Sequence, residues 1–88
     1  MTSITPLIAT LAQARKQQQM TQAELASQAG LSRMTVQRLE SNGLDPRLST
    51  LHEMARVLGY VLLAVPQGAE NRVQQALQQH RTAETAPL

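Results

Sequence analysis

Residues 21–42, TQAELASQAGLSRMTVQRLESN, constrain this chain more than any other stretch, because they hold two helix starts and a stop at short, fixed spacing. Thr21 followed by Glu24 is a capping box, in which each side chain satisfies the other residue's free N–H. Gly30 ends that helix, since glycine enters the left-handed conformation at low cost. Ser32 then caps a second helix, RMTVQRLES, with Val36 and Leu39 on one face and Arg33, Gln37 and Arg38 largely elsewhere. This helix is short and stops near Ser41. Leu25, Leu31, Val36 and Leu39 offer apolar contacts on both sides of the turn, and Ala26 is small where the two helices must cross. Two short helices joined by a tight glycine-containing turn are a helix-turn-helix, whose second helix enters the major groove of DNA.

The flanking sequence supplies further helices. Pro6 suits a first helical turn with Thr5 as cap, and Leu7, Leu11 and Ala14 follow at spacings of four and three, so a helix runs to about Gln18. NGLDPRLS carries Asn-Gly and Asp-Pro turn signals and forms the next loop. In LSTLHEMARVLG the apolar residues Leu48, Leu51, Met54, Ala55 and Leu58 recur at helical spacing before Gly59 stops the helix. Past Pro66 and Gly68, AENRVQQALQQH forms a C-terminal helix with Ala69, Val73, Ala76 and Leu77 on a narrow stripe, marginal unless docked. The tail RTAETAPL has too little apolar surface to fold.

Composition sets the outer bounds. Eighty-eight residues make one small domain with a thin core, for which oligomerisation is a common remedy. The absence of cysteine excludes disulfides and Cys-based zinc or redox sites. No basic n-region precedes an apolar core at the N-terminus, and no apolar run approaches the roughly 20 residues a membrane helix needs, so we expect a cytoplasmic protein. Eight Lys and Arg against six Asp and Glu leave a net charge of only +2. Placement is more informative than the sum: Arg33 and Arg38 lie in a segment with no acid before Glu40, and seven of the eight cations are Arg, whose planar fork suits phosphate and guanine edges. The two histidines, His52 and His80, are far apart with no metal-ligand spacing around them, and no Gly-rich phosphate loop exists; we expect no metal, no cofactor and no enzymatic activity.

The segment TQAELASQAGLSRMTVQRLESN resembles the signature of the Cro/C1, or XRE-type, helix-turn-helix family, over roughly residues 5–59. The resemblance implies a mainly α, lambda-repressor-like DNA-binding domain that binds operator DNA as a dimer. It implies that Arg33, Met34, Gln37 and Arg38 face base edges, and that Gln22, Ser32, Asn42 and Arg47 touch the phosphate backbone. Chemistry agrees for most of these, since Arg bridges guanine O6 and N7 and Gln does the same for adenine. Met34 departs from a polar reader; a thymine methyl contact and simple packing are both open, and packing is favoured. The resemblance also implies an ion pair between Arg15 and Glu40, a structural rather than a DNA-contacting feature, either exposed and weak or buried and costly to break.

LGYVLLAVP, residues 58–66, is unlike the rest. Tyr60, Leu62 and Ala64 alternate with Val61, Leu63 and Val65, so as a strand both faces are apolar and both need cover. Gly59 before and Pro66 after, with Tyr60, Val61 and Val65 inside, favour a strand, although Leu58, Leu62 and Val65 also fit helical spacing. A single chain offers no second strand. The simplest completion is the same segment of a second copy, paired antiparallel about a two-fold axis in an intermolecular two-stranded sheet. This divides the chain into a helix-turn-helix domain at 1–59, a dimerisation strand at 60–66 and a C-terminal helix or flexible tail at 67–88. A helix-turn-helix followed by such a strand resembles the HipB-type antitoxins, which implies a homodimer that represses its own operon at a palindromic operator and binds a HipA-type kinase toxin.

Overall fold

The computed structural model describes residues 5–43 and 45–85. Five α-helices follow in order: α1 (Thr5–Gln17), α2 (Gln22–Ala29), α3 (Arg33–Glu40), α4 (Leu48–Leu58) and α5 (Glu70–Thr85), the last preceded by a 3₁₀ turn, Gln67–Ala69. None of the described helices is long and apolar enough to cross a membrane.

Local signals account for most of the boundaries. Pro6 sits in the first turn of α1, while the cap role expected of Thr5 falls on a side chain outside those described. Thr21 and Glu24 form the full capping box: the Thr21 Oγ1 accepts from the Glu24 N–H and a Glu24 carboxylate oxygen accepts from the Thr21 N–H, both at 3.0 Å. Gly30 (φ 71°) and Gly59 (φ 81°) terminate α2 and α4 in the left-handed conformation. After α3 it is Asn42 (φ 62°), not Gly43, that takes that conformation. Asparagine tolerates it, and the Gly43 N–H donates 2.7 Å to the Arg38 carbonyl to close the helix end.

The core is where α1–α4 meet: Ile8, Leu11 and Ala14 of α1, Leu25 and Ala26 of α2, Val36 and Leu39 of α3, and Leu51, Met54, Ala55 and Leu58 of α4. Leu7, Met20, Leu31, Val57 and Leu62 pack around it half-buried. Packing between α2 and α3 is the most extensive of any pair, through the buried Ala26 and the fully enclosed Leu25 and Val36.

Two expectations need correction, for Leu48 and for the C-terminal tail, and residues 60–66 take neither expected form in the single chain. Leu48, counted on the apolar stripe of α4, is 72% exposed, because it is the first residue of α4 and no described residue covers it there. Residues 60–66 are neither helix nor strand in the single chain, and no strand occurs among the described residues. A ladder needs a second row of N–H and C=O groups, and one copy has none to offer. Helical spacing at Leu58, Leu62 and Val65 is not realised either, since Gly59 turns the backbone and the Tyr60 N–H closes α4 by donating to the Ala55 carbonyl at 2.8 Å. Finally, α5 runs past His80 to Thr85, into the segment expected to stay unfolded, because Arg81, Ala83 and Glu84 are good helix formers that extend an existing helix without a new nucleation cost.

Candidate nucleic-acid interface

Ser32 starts α3 as its side chain accepts from the Thr35 N–H at 3.1 Å, with the two hydroxyls 2.8 Å apart. Successive residues turn by roughly 100°, which puts Arg33, Met34, Gln37 and Arg38 on the side of α3 opposite Val36 and Leu39. All four are exposed while Val36 and Leu39 are buried, so the core fixes which side of α3 faces outward. Met34 is 54% exposed, which overturns the packing reading for it and sets an apolar group among polar ones on the open face. Arg33, Arg38 and Arg47 have no carboxylate partner among the described residues, whereas Arg15 pairs with Glu40 and Arg56 with Glu53. The outer side of α3 is thus cationic and uncompensated.

The remaining residues of the expected interface are more dispersed. Ser32 and Asn42 are exposed at the two ends of α3, and Arg47 is exposed at the start of α4, without a capping hydrogen bond from its side chain. Gln22 is only half exposed. Its Nε2 donates to Glu40 Oε1 at 3.0 Å, leaving one amide N–H and the backbone N–H at the start of α2 for an anion.

Glu40 organises the back of this surface. Arg15 reaches it from α1 as a fork, Nε to Oε2 at 2.7 Å and Nη2 to Oε1 at 2.9 Å, and donates from Nη1 to the Met20 carbonyl at 2.7 Å. The side chains of Arg15 and Glu40 are 11% and 9% exposed, so the pair is desolvated rather than a surface contact. Burial pushes the Glu40 carboxyl up, but the hydrogen bonds from Arg15 and Gln22 and the charges of Arg15 and Lys16 outweigh it and hold the group below its ordinary range. Three helices, α1, α2 and α3, are joined at one carboxylate.

Two participants escaped the sequence reading. Thr35 shares its hydroxyl with Ser32, a pairing that the Ser-x-x-Thr spacing hints at. Gln18 donates from Nε2 to the Leu58 carbonyl at 2.9 Å across 40 residues, for which no local signal exists.

A helix-turn-helix family model matches residues 11–63, from the middle of α1 through α4 and into the segment beyond. No curated protein and no solved structure matches the chain.

Proposed function

The chain belongs to the helix-turn-helix family, of XRE type, and from this premise we propose that it is a sequence-specific transcriptional repressor acting as a homodimer on a palindromic operator. Membership carries the general role of a DNA-binding transcription regulator; operator specificity, repression and the dimer are our reading. The observation that carries it is the unpaired, outward side of α3, where Arg33, Met34, Gln37 and Arg38 meet solvent behind a core that holds the helix rigid. Arg38 and Arg33 suit guanine, Gln37 suits adenine, and Met34 suits a thymine methyl group. Gln22, Ser32, Asn42 and Arg47 position the phosphates. The reading assigns the chain no catalytic step and requires no cofactor.

Residues 1–59 form the DNA-binding unit in this reading, 60–66 the dimerisation segment and 67–88 a C-terminal extension. Tyr60, Val61, Leu62, Leu63, Ala64 and Val65 pair with the same residues of a second copy, which suits a segment whose Val61 is 85% and Leu63 76% exposed in the single chain. Two copies of α3 would then stand about 34 Å apart, one turn of duplex. A cytoplasmic location fits this role.

We assign the chain to the HipB-type antitoxins within this family, on the strength of an apolar segment directly after α4. The assignment implies neutralisation of a HipA-type kinase in addition to repression. It is tested by co-purification with a kinase of that type encoded beside this gene; absence of a complex removes the antitoxin role and leaves the repressor.

Repression itself is tested by mobility-shift titration with the DNA upstream of the chain's own gene at several salt concentrations. Specific binding with a log–log salt slope reflecting a few phosphates per subunit is expected. Equal affinity for that DNA and for random duplex would refute it.

A further inference from the structure

We propose that α5 is the second half of the dimer interface: it lies across the outer face of the intermolecular ribbon and covers Val61 and Leu63 of the other copy. The proposal rests on the dimer put forward above.

Leu62 packs half-buried against the core, so in a strand the side holding Val61, Leu63 and Val65 points away from the helical body. That side is apolar and open, with Val61 85% and Leu63 76% exposed. The chain's own α5 does not cover it. Among the described residues α5 packs appreciably only against the 3₁₀ turn before it, and its stripe is open too: Leu77 is 49% exposed, Ala76 is exposed, and Ala69 and Val73 are half-buried. Two unpartnered apolar surfaces lie on either side of a short turn at Pro66.

Area argues that both belong to one interface. The chain exposes 6858 Å², where a compact protein of 9.6 kDa exposes about 5,100 Å². Its radius of gyration is 14.1 Å, against about 12 Å for a compact chain of this length. Exposed apolar side chains on both sides of Pro66, at Val61, Leu63, Ala76 and Leu77, contribute to that excess. Six strand residues alone, at the roughly 30–40 Å² per residue typical of interfaces, bury only about 180–240 Å² per copy, well below the roughly 800 Å² of a standard interface. A ribbon without α5 is too small.

Strand direction selects the partner copy. In an antiparallel pair the end of one strand lies beside the start of the other, so α5 leaves the ribbon next to the partner's Val61. Val73, one turn into α5, is then close to that residue.

The chain has no cysteine, which makes a direct test simple. Full-length chains carrying Val61→Cys or Val73→Cys, one with a size tag, are co-expressed and mildly oxidised, and the unsubstituted chain is sedimented at micromolar concentration in parallel. A wild-type dimer and a disulfide-linked heterodimer of the two variants are expected. The Val73→Glu/Leu77→Glu double variant, altered outside the α1–α4 core, is expected to raise the dimer dissociation constant at least about tenfold. A wild-type dimer in which the two variants do not cross-link, or in which a chain carrying both cysteines closes on itself, overturns the assignment of α5 and leaves the ribbon dimer standing. A monomeric wild type overturns both. Unaltered dimerisation of the double variant together with lost capture of a HipA-type kinase assigns the stripe to the toxin and also overturns the proposal.

Discussion

Gln18, one residue beyond the end of α1, donates from Nε2 to the carbonyl of Leu58, the last residue of α4, at 2.9 Å. The carbonyls of a final helical turn lack partners within the helix, and here one of them is satisfied by a side chain from the end of α1. The same contact sets the point from which residues 60–66 leave the helical body. Gln18→Ala removes the donor from an exposed position that water can enter, so it is expected to cost about 0.5–1.5 kcal/mol, read as a shift of the urea midpoint at constant slope.

The Arg15–Glu40 pair makes a sharper demand. Both side chains are about nine-tenths covered, so removing one leaves the other largely desolvated and without its charged partner. Arg15→Met and Glu40→Leu are each expected to cost about 3–5 kcal/mol, and the double substitution less than the sum of the two. A double-mutant cycle on urea unfolding measures this. Additive losses would mean that the pair is not coupled.

Acid should weaken the fold through the same carboxylate. The Glu40 carboxyl is held below its ordinary value in the folded protein, so the unfolded chain takes up its proton first as pH falls. Its contribution is complete above the ordinary glutamate value of about 4.3 and is lost as pH drops below that, through the folded value. Glu24, held low by the backbone N–H and the hydroxyl of Thr21, acts in the same direction. Thermal midpoints between pH 7 and pH 3 should fall chiefly below about pH 4.3, and Glu40→Gln should flatten that fall while lowering the midpoint at pH 7.

At Gly30 the requirement is for a backbone conformation rather than for space. A Cβ there meets nothing within 4 Å, yet φ is 71°. Gly30→Ala is therefore expected to cost about 1–2 kcal/mol from the left-handed conformation alone, and Gly30→Asn less, since asparagine visits that region more readily. Equal stability of the two variants by chemical denaturation would count against this explanation.

For DNA, the discriminating residue is Arg38. If it reads a guanine, Arg38→Ala removes about 1–3 kcal/mol from operator binding, five- to 150-fold, and far less from binding to random duplex. Arg47→Ala, assigned to a phosphate, should weaken both equally and lower the salt slope by about one. Parallel titrations on both DNAs separate the two roles.

What the amino-acid sequence determined by itself were the features that depend on residues within one helical turn of each other. The Thr21–Glu24 box, the Ser32 cap, the stops at Gly30 and Gly59 and the opposition of Val36 and Leu39 to Arg33 and Arg38 all follow from local hydrogen bonding, backbone freedom and a 3.6-residue period. The matched family span, residues 11–63, contains every one of them. Tertiary structure alone decided which side chains meet across the core. It gave Gln18 to Leu58, Gln22 to Glu40 and solvent to Met34 and Leu48, and among the described residues it packed α5 appreciably only against the 3₁₀ turn before it. The physical reason is that spacing defines the face of a helix, whereas cover for that face depends on where every other helix ends. The same holds for residues 60–66: alternation marks both sides as apolar, but no arrangement of one copy supplies a second strand.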